Sequence, residues 1–195
     1  MPHMDPLSVD PVAQMSAEHA TLIALARSIE RLINDGLALD EEKAAWARQL
    51  CTALAIHLHV EEEWFYPVLR DATPHGAEID AFEVEHEGLR TMIDGVLASP
   101  SDDPLFDARF MQLCATMRAH FHTEESQLFL GVRLAPEVET ALAHDMSDCR
   151  AEQQAAVAGG HDLHFEREAA DPVGAVHARA FPSTSRPHKG DTPCA

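Results

Sequence analysis

Basic side chains are scarce. Lys and Arg number 14 against 33 Asp and Glu, a formal net charge of -19. A surface that acidic repels phosphate backbones, which argues against nucleic acid and against anionic membrane surfaces as partners. Cysteine is sparse as well. Cys51, Cys114, Cys149 and Cys194 show no CxxC spacing and no dense framework, as expected of a chain kept in a reducing cytoplasm. No apolar run approaches the roughly 20 residues of a membrane span. Met1-Pro2-His3-Met4-Asp5 has neither a basic nor an apolar leader segment, so no export signal is expected and a cytoplasmic location is. No stretch alternates with period two over a useful length, and tyrosine occurs once. What is present is 195 residues, 46% of them apolar, enough for one self-sufficient core. There are also 13 histidines, and they set the question of function.

Apolar positions recur at helical spacing in four long stretches. Met15, Leu22, Ala26, Ile29 and Ile33 form a stripe over 12–34, closed by Asn34-Asp35-Gly36 with the glycine at C′. Asp40 is expected to cap a second helix with Glu41 and Glu42 in its first turn, running to about Asp71 with a kink at Pro67. Thr73-Pro74 reads as the start of a third helix, whose stripe is Ile79, Phe82, Leu89, Ile93 and Val96. Asp103-Pro104 reads as the start of a fourth, striped by Phe106, Phe110, Leu113 and Met117. A short fifth helix is expected from Pro136 to about Val157. The spacing therefore predicts an all-α chain, an antiparallel up-down-up-down four-helix bundle over residues 12–158. From Gly159 the composition breaks, with Gly159-Gly160, Pro172, Pro182, Pro187 and Pro193. Residues 159–195 are expected to be a disordered tail, its histidines at no metal-binding spacing.

The chain also repeats itself. Leu50-Cys51 followed by His57-Leu58-His59-Val60-Glu61-Glu62 matches Leu113-Cys114 followed by His120-Phe121-His122-Thr123-Glu124-Glu125 at a constant offset of 63. Upstream, Glu18-His19 matches Glu85-His86 at an offset of 67. The bundle thus reads as two helical hairpins, each with a His on its first helix and HxxxE on its second.

Residues four apart share a helix face, so His57 pairs with Glu61 and His120 with Glu124. Leu50, Leu54, His57 and Glu61 are spaced four, three, four, and so are Leu113, Met117, His120 and Glu124. His19 follows Met15 and precedes Leu22, while His86 follows Phe82 and precedes Leu89, each in the same rhythm. All six polar residues therefore lie in apolar stripes and should point into the bundle. Counting from the connecting loops puts the four histidines in one layer to within roughly 5 Å. Two carboxylates in an apolar core cost several kcal/mol each unless neutralised, and no Lys or Arg occupies these stripes. A pair of divalent metals would neutralise them, with carboxylates bridging and imidazoles capping each side.

The pattern His19, His57-x-x-x-Glu61, His86, His120-x-x-x-Glu124 resembles the hemerythrin-like family, the HHE cation-binding domains, over about residues 12–134. The resemblance implies a non-haem di-iron centre of two iron ions. His19, His57, His86 and His120 would be terminal ligands, with Glu61 and Glu124 as bridging carboxylates. Oxygen-carrying members have a second histidine one turn from the one on the third helix, where this chain has Phe82 and Arg90. That departure leaves more open coordination, which suits sensing or turnover of a small ligand as well as carriage. Glu83, three residues before His86, could fill one open position or lie on the solvent face. The expected activity is binding or sensing of O2, NO or peroxide. The alternatives are a peroxidase- or catalase-like scavenger, or a non-redox module for iron storage or sensing.

Other residues read more plainly. His59 and His122 lie about 200° around their helices from the ligands and face away. Glu62, Glu63 and Glu125 read as solvated charges. Cys51 and Cys114, nearly two turns from His57 and His120, are either buried small hydrophobes or redox-active thiols. Met15 and Phe82 should line the pocket. Trp46, Trp64, Phe65 and Tyr66 read as packing, and Tyr66 is given no role at the metal.

Overall fold

The computed structural model describes residues 10–160, and the tail expected from 159 therefore lies outside the described residues beyond Gly160. Among the described residues there are only helices and their connections. They are α1 (Pro11–Asn34), α2 (Asp40–Val60), a π-helical segment (Glu61–Phe65), α3 (Tyr66–Ala72), α4 (Gly76–Leu97), α5 (Phe106–Gln127) and α6 (Pro136–Ala158). None of these helices is long and apolar enough to cross a membrane.

Local chemistry sets the boundaries. The Asp10 carboxylate accepts from the Val12 N–H at 2.9 Å, and Pro11 occupies the first turn of α1, where its missing donor costs nothing. Gly36, at φ +65°, closes α1, with Gly36 N–H bonded to the Ile33 carbonyl and Leu37 N–H to that of Leu32. Leu39, rather than Asp40, caps α2; its N–H is held by the Glu42 carboxylate at 3.1 Å. Helix α4 starts two residues later than Thr73-Pro74 suggests. The Thr73 hydroxyl donates back to the Leu69 carbonyl at 2.7 Å and so ends α3 instead of opening α4. Helix α5 likewise starts at Phe106, after a turn in which Asp103 accepts from Leu105 N–H.

The break in the second long helix is the main departure from the simple pattern. A kink is expected in its last turn at Pro67. Instead, the helix widens one turn earlier, over Glu61–Phe65, and the Tyr66 N–H bonds the Glu61 carbonyl five residues back. Proline has no N–H, and its ring crowds the carbonyl four residues upstream, which favours such a widened turn.

Helices α1, α2, α4 and α5 pack each against the next, α1 against α5 closing the ring, and α6 lies against α1, α2 and the π segment. At 23 residues α6 is as long as the bundle helices rather than short. The core has two parts. One holds Leu22, Ile29, Leu54, Leu89, Phe110 and Met117; the other holds Met15, Val60, Tyr66, Ile79, Phe82 and Met146. Each fully buried side chain of this size contributes about 1.5–3 kcal/mol. Along every bundle helix, the histidine of the repeat lies where one part gives way to the other.

Candidate metal centre

His19, His57, Glu61, His86, His120 and Glu124 are the buried polar residues of the described chain, none more than 2% exposed. They converge in one layer. The imidazole centroids of His19 and His57 are 4.9 Å apart, and those of His86 and His120 are 4.8 Å apart. His19, His57 and Glu61 offer three donor atoms within 4.8 Å of one another, and Glu61, His86 and His120 offer a second such set. Glu61 belongs to both. Its Oε1 lies 3.2 Å from His57 Nε2 and 3.6 Å from His19 Nε2, and its Oε2 lies 3.4 Å from His86 Nε2. Glu124 spans the same gap from the opposite helix, with Oε2 3.4 Å from His19 Nε2 and 3.9 Å from His120 Nε2.

The outer nitrogens are all held. Each Nδ1 donates to a carboxylate: His19 to Glu125 at 3.0 Å, His57 to Glu18 at 3.0 Å, His86 to Glu62 at 2.7 Å and His120 to Glu85 at 2.8 Å. A carboxylate can only accept, so each Nδ1 carries a proton and each Nε2, once free of a proton of its own, presents its lone pair to the centre. Two of the carboxylates are held in turn by guanidinium groups. Arg90 grips Glu62 with two bonds, at 2.9 and 2.8 Å, and Arg150 of α6 pairs with Glu18. Glu85 and Glu125 are half exposed and have solvent behind them.

Helical periodicity does not reveal this outer shell. Glu62 and Glu125 read as solvated charges, yet each locks an imidazole. Only Glu63 keeps that description, being exposed. Glu18 and Glu85 stand beside the apolar stripes of their own helices, which do not mark them. The available signal is in the repeat: Glu18 with Glu85, and Glu62 with Glu125, recur at the same two offsets as the residues they adjoin.

Tyr66 does more than the packing its sequence context suggests. Its hydroxyl lies 3.1 Å from His86 Nε2, inside the cluster. The π turn puts it there, because a residue five positions after Glu61 would face elsewhere on an unbroken α-helix. Glu83 turns to Arg70 outside the bundle, with Oε1 3.5 Å from Nη2. Phe82 is buried and packs edge-on to His120, and Met15 is buried in the same half of the core. His122 is exposed, and His59 meets Gln153 of α6. Cys51 and Cys114 are fully buried. Burial pushes both thiols up to about 12, aided by Asp94 for Cys51 and by Glu30 for Cys114, which makes them inert small hydrophobes rather than redox groups.

The donor set suits cations. Among the described residues, six of the nine buried side-chain N or O atoms that lack a hydrogen-bond partner are here: His19 Nε2, His57 Nε2 and both oxygens of Glu61 and of Glu124. His86 Nε2 and His120 Nε2 face each other at 3.1 Å with lone pairs, an arrangement that repels unless a cation or proton lies between. Without metal, protons take that part. Burial opposes a charge on His19, but Glu124 and Glu61 outweigh it and raise its pKa to about 10. His57 rises against burial to about 9, mainly through Glu61 and Glu18. Burial and the nearby His86 hold His120 down at about 4. Burial and the charge of Glu61 push Glu124 up to about 7. Glu61, despite burial, is held well below the usual carboxylate range by His57 and His19.

The hemerythrin HHE cation binding domain matches residues 10–130. The chain belongs to this family. The HHE domain is a cation-binding one, and in this chain its match ends just past the second HxxxE, so α6 lies outside it. The HHE fold recurs in the crystal structure of a hemerythrin HHE cation binding domain-containing protein from Mycobacterium kansasii. That structure is 20% identical, with a TM-score of 0.66, and the match covers 89% of this chain and 99% of that one. No curated protein matches the chain.

Proposed function

We propose that this HHE domain is a non-haem di-iron protein that binds or senses O2, NO or peroxide within the bundle. The observation that carries the reading is the sharing of Glu61 between two histidine pairs, with Glu124 spanning the same pairs from the opposite helix. One carboxylate serving two donor sets supports two ions side by side, and imidazole with carboxylate is a donor mixture that iron accepts. In such a centre His19 and His57 would hold one ion and His86 and His120 the other, with Glu61 and Glu124 placed to serve both. A di-iron pair, when bound, supplies reversible electron exchange with small oxygen- or nitrogen-containing ligands.

The protein residues set the conditions for that chemistry. The four outer carboxylates fix the imidazole tautomers and aim each Nε2 inward. Phe121 lies flat on His19 at 3.9 Å and Phe129 covers it further out at 5.5 Å, walling the first pair in apolar surface and excluding water. The test is metal analysis with optical spectroscopy of aerobically purified protein. Close to two irons per chain, and near-ultraviolet bands that bleach on reduction and respond to O2, NO or peroxide, are expected. One tightly held zinc per chain, with a spectrum indifferent to reductant, would overturn the reading.

A further inference from the structure

We propose that Tyr66 is a phenolate ligand to the iron held by His86 and His120, so that the two irons are chemically unlike. The inference rests on the di-iron reading above and deepens it. Its basis is a comparison the molecule makes with itself. Under the 63-residue offset of the repeat, the counterpart of Tyr66 is Phe129. The two rings occupy equivalent places. Tyr66 N–H bonds the carbonyl of Glu61, and Phe129 N–H bonds that of Glu124, each five residues back. Tyr66 covers His86 at 5.4 Å and 28°, and Phe129 covers His19 at 5.5 Å and 18°. Packing over a histidine therefore needs only the ring. The hydroxyl is what one half has and the other lacks.

That hydroxyl is not spent on any outer group. It lies 3.1 Å from His86 Nε2, which is itself 3.1 Å from His120 Nε2. Two donors on one metal, each about 2.1 Å away and at a right angle, stand about 3 Å apart. His86 Nε2 thus stands from both the hydroxyl and His120 Nε2 at the spacing of neighbours on one ion. In the metal-free fold the hydroxyl proton is shared between His86 Nε2 and the nearby Glu124 carboxylate, and the facing Nε2 lone pairs of His86 and His120 are left without a proton of their own, since both Nδ1 atoms already carry one. On binding, the phenol O–H bond breaks and an Fe–O bond forms, with no electron transferred. The proton leaves to solvent with those the cluster releases. Phe82 stacks its ring on Tyr66 at 6.5 Å and 29°. The other pair, His19 and His57, has no such hydroxyl, because Phe129 stands in the equivalent place.

The chain has a single tyrosine, which makes the test direct. The full-length protein loaded with ferric iron is examined by visible absorption and resonance Raman, with natural and with ring-deuterated tyrosine. Enhanced phenolate ring modes that shift on deuteration, with a visible charge-transfer band, are expected. Both should vanish in Tyr66→Phe while iron content and oxo-bridge bands persist. A wild-type protein with two irons and an oxo bridge but no isotope-sensitive phenolate modes would overturn the assignment and leave the di-iron reading standing. This comparison is made on the wild-type chain and needs no variant to fold. Absence of iron and of oxo-bridge bands would remove both readings together.

Discussion

At the scale of single residues, the centre is defined by which atoms have nowhere else to go. Both oxygens of Glu61 are buried and unpartnered, and Glu61 alone belongs to both donor triads. Glu61→Ala is therefore expected to cost both metals, whereas His57→Ala should weaken chiefly the ion shared with His19. Metal analysis of the two purified variants separates these outcomes, and equal loss in both would contradict the shared role of Glu61. The outer carboxylates are expected to differ among themselves. Glu62 is 11% exposed and fixed by two bonds from Arg90, while Glu85 is 49% exposed. Removing an outer-shell partner of a metal-bound imidazole typically costs about 10–100-fold in affinity. Glu62→Ala is expected to lie in that range and Glu85→Ala well below it, because water can replace a half-exposed acceptor. Competition of each variant against a chelator measures this. Equal affinities for the two variants would show that the guanidinium backing is irrelevant.

At the scale of elements, the four bundle helices and the six inner residues are legible in the sequence because periodicity encodes which face is buried. His19, His57, Glu61, His86, His120 and Glu124 each sit in step with a stripe of Leu, Met or Phe, and burial follows the stripe. What is not legible has two physical causes. Glu18, Glu62, Glu85 and Glu125 reach across to imidazoles of neighbouring helices, and reach between helices leaves no trace in the periodicity of one helix. The π turn at Glu61–Phe65 shifts the register by one residue, so Tyr66 falls on a face that a regular 3.6-residue count does not assign to the centre. Pro67 is the available sign, but a proline announces a disturbance without saying where the helix absorbs it. Helix α6 is legible as a helix, while its role is not. It buries Leu142, Met146 and Cys149 against the half of the core that contains Tyr66 and Phe82, and it supplies Arg150 to Glu18. Met146 is fully buried, so Met146→Ala is expected to cost about 2–5 kcal/mol by opening a cavity. Denaturant unfolding of the metal-free protein measures it. A loss under about 0.5 kcal/mol, the range of ordinary surface substitutions, would mean that α6 is an appendage and not part of the core.

At the scale of the whole molecule, the centre buries two carboxylates in a chain already at -19, and protons and metal compete to neutralise them. In the metal-free fold, His19 titrates at about 10 and His57 at about 9, both above their ordinary value of 6.5. A histidine with a raised pKa contributes stability that is complete below 6.5 and is lost as pH climbs through the folded value. Below pH 7 other groups interfere. Glu124, raised to about 7 from 4.5, makes the fold less stable as pH rises across that interval. His120, lowered to about 4, makes it less stable as pH falls from 6.5. Between pH 7 and 9 His120 is settled, and Glu124 adds to the same downward slope until about pH 8; beyond that the slope belongs to His57 and His19. Folded protein holds more protons than unfolded chain there, so the stability of the metal-free protein must fall with rising pH. The metal-loaded protein has exchanged those protons for cations, and deprotonation favours ligation, so its stability should hold or rise. The general self-repulsion of an acidic chain is common to both forms and cancels in their difference. Thermal unfolding with and without metal across pH 7 to 9 should thus show a gap in Tm that widens steadily. A gap that stays constant or narrows would mean that His19 and His57 do not hold the protons that metal replaces. The inner carboxylates would then be neutralised in the metal-free fold by some other means.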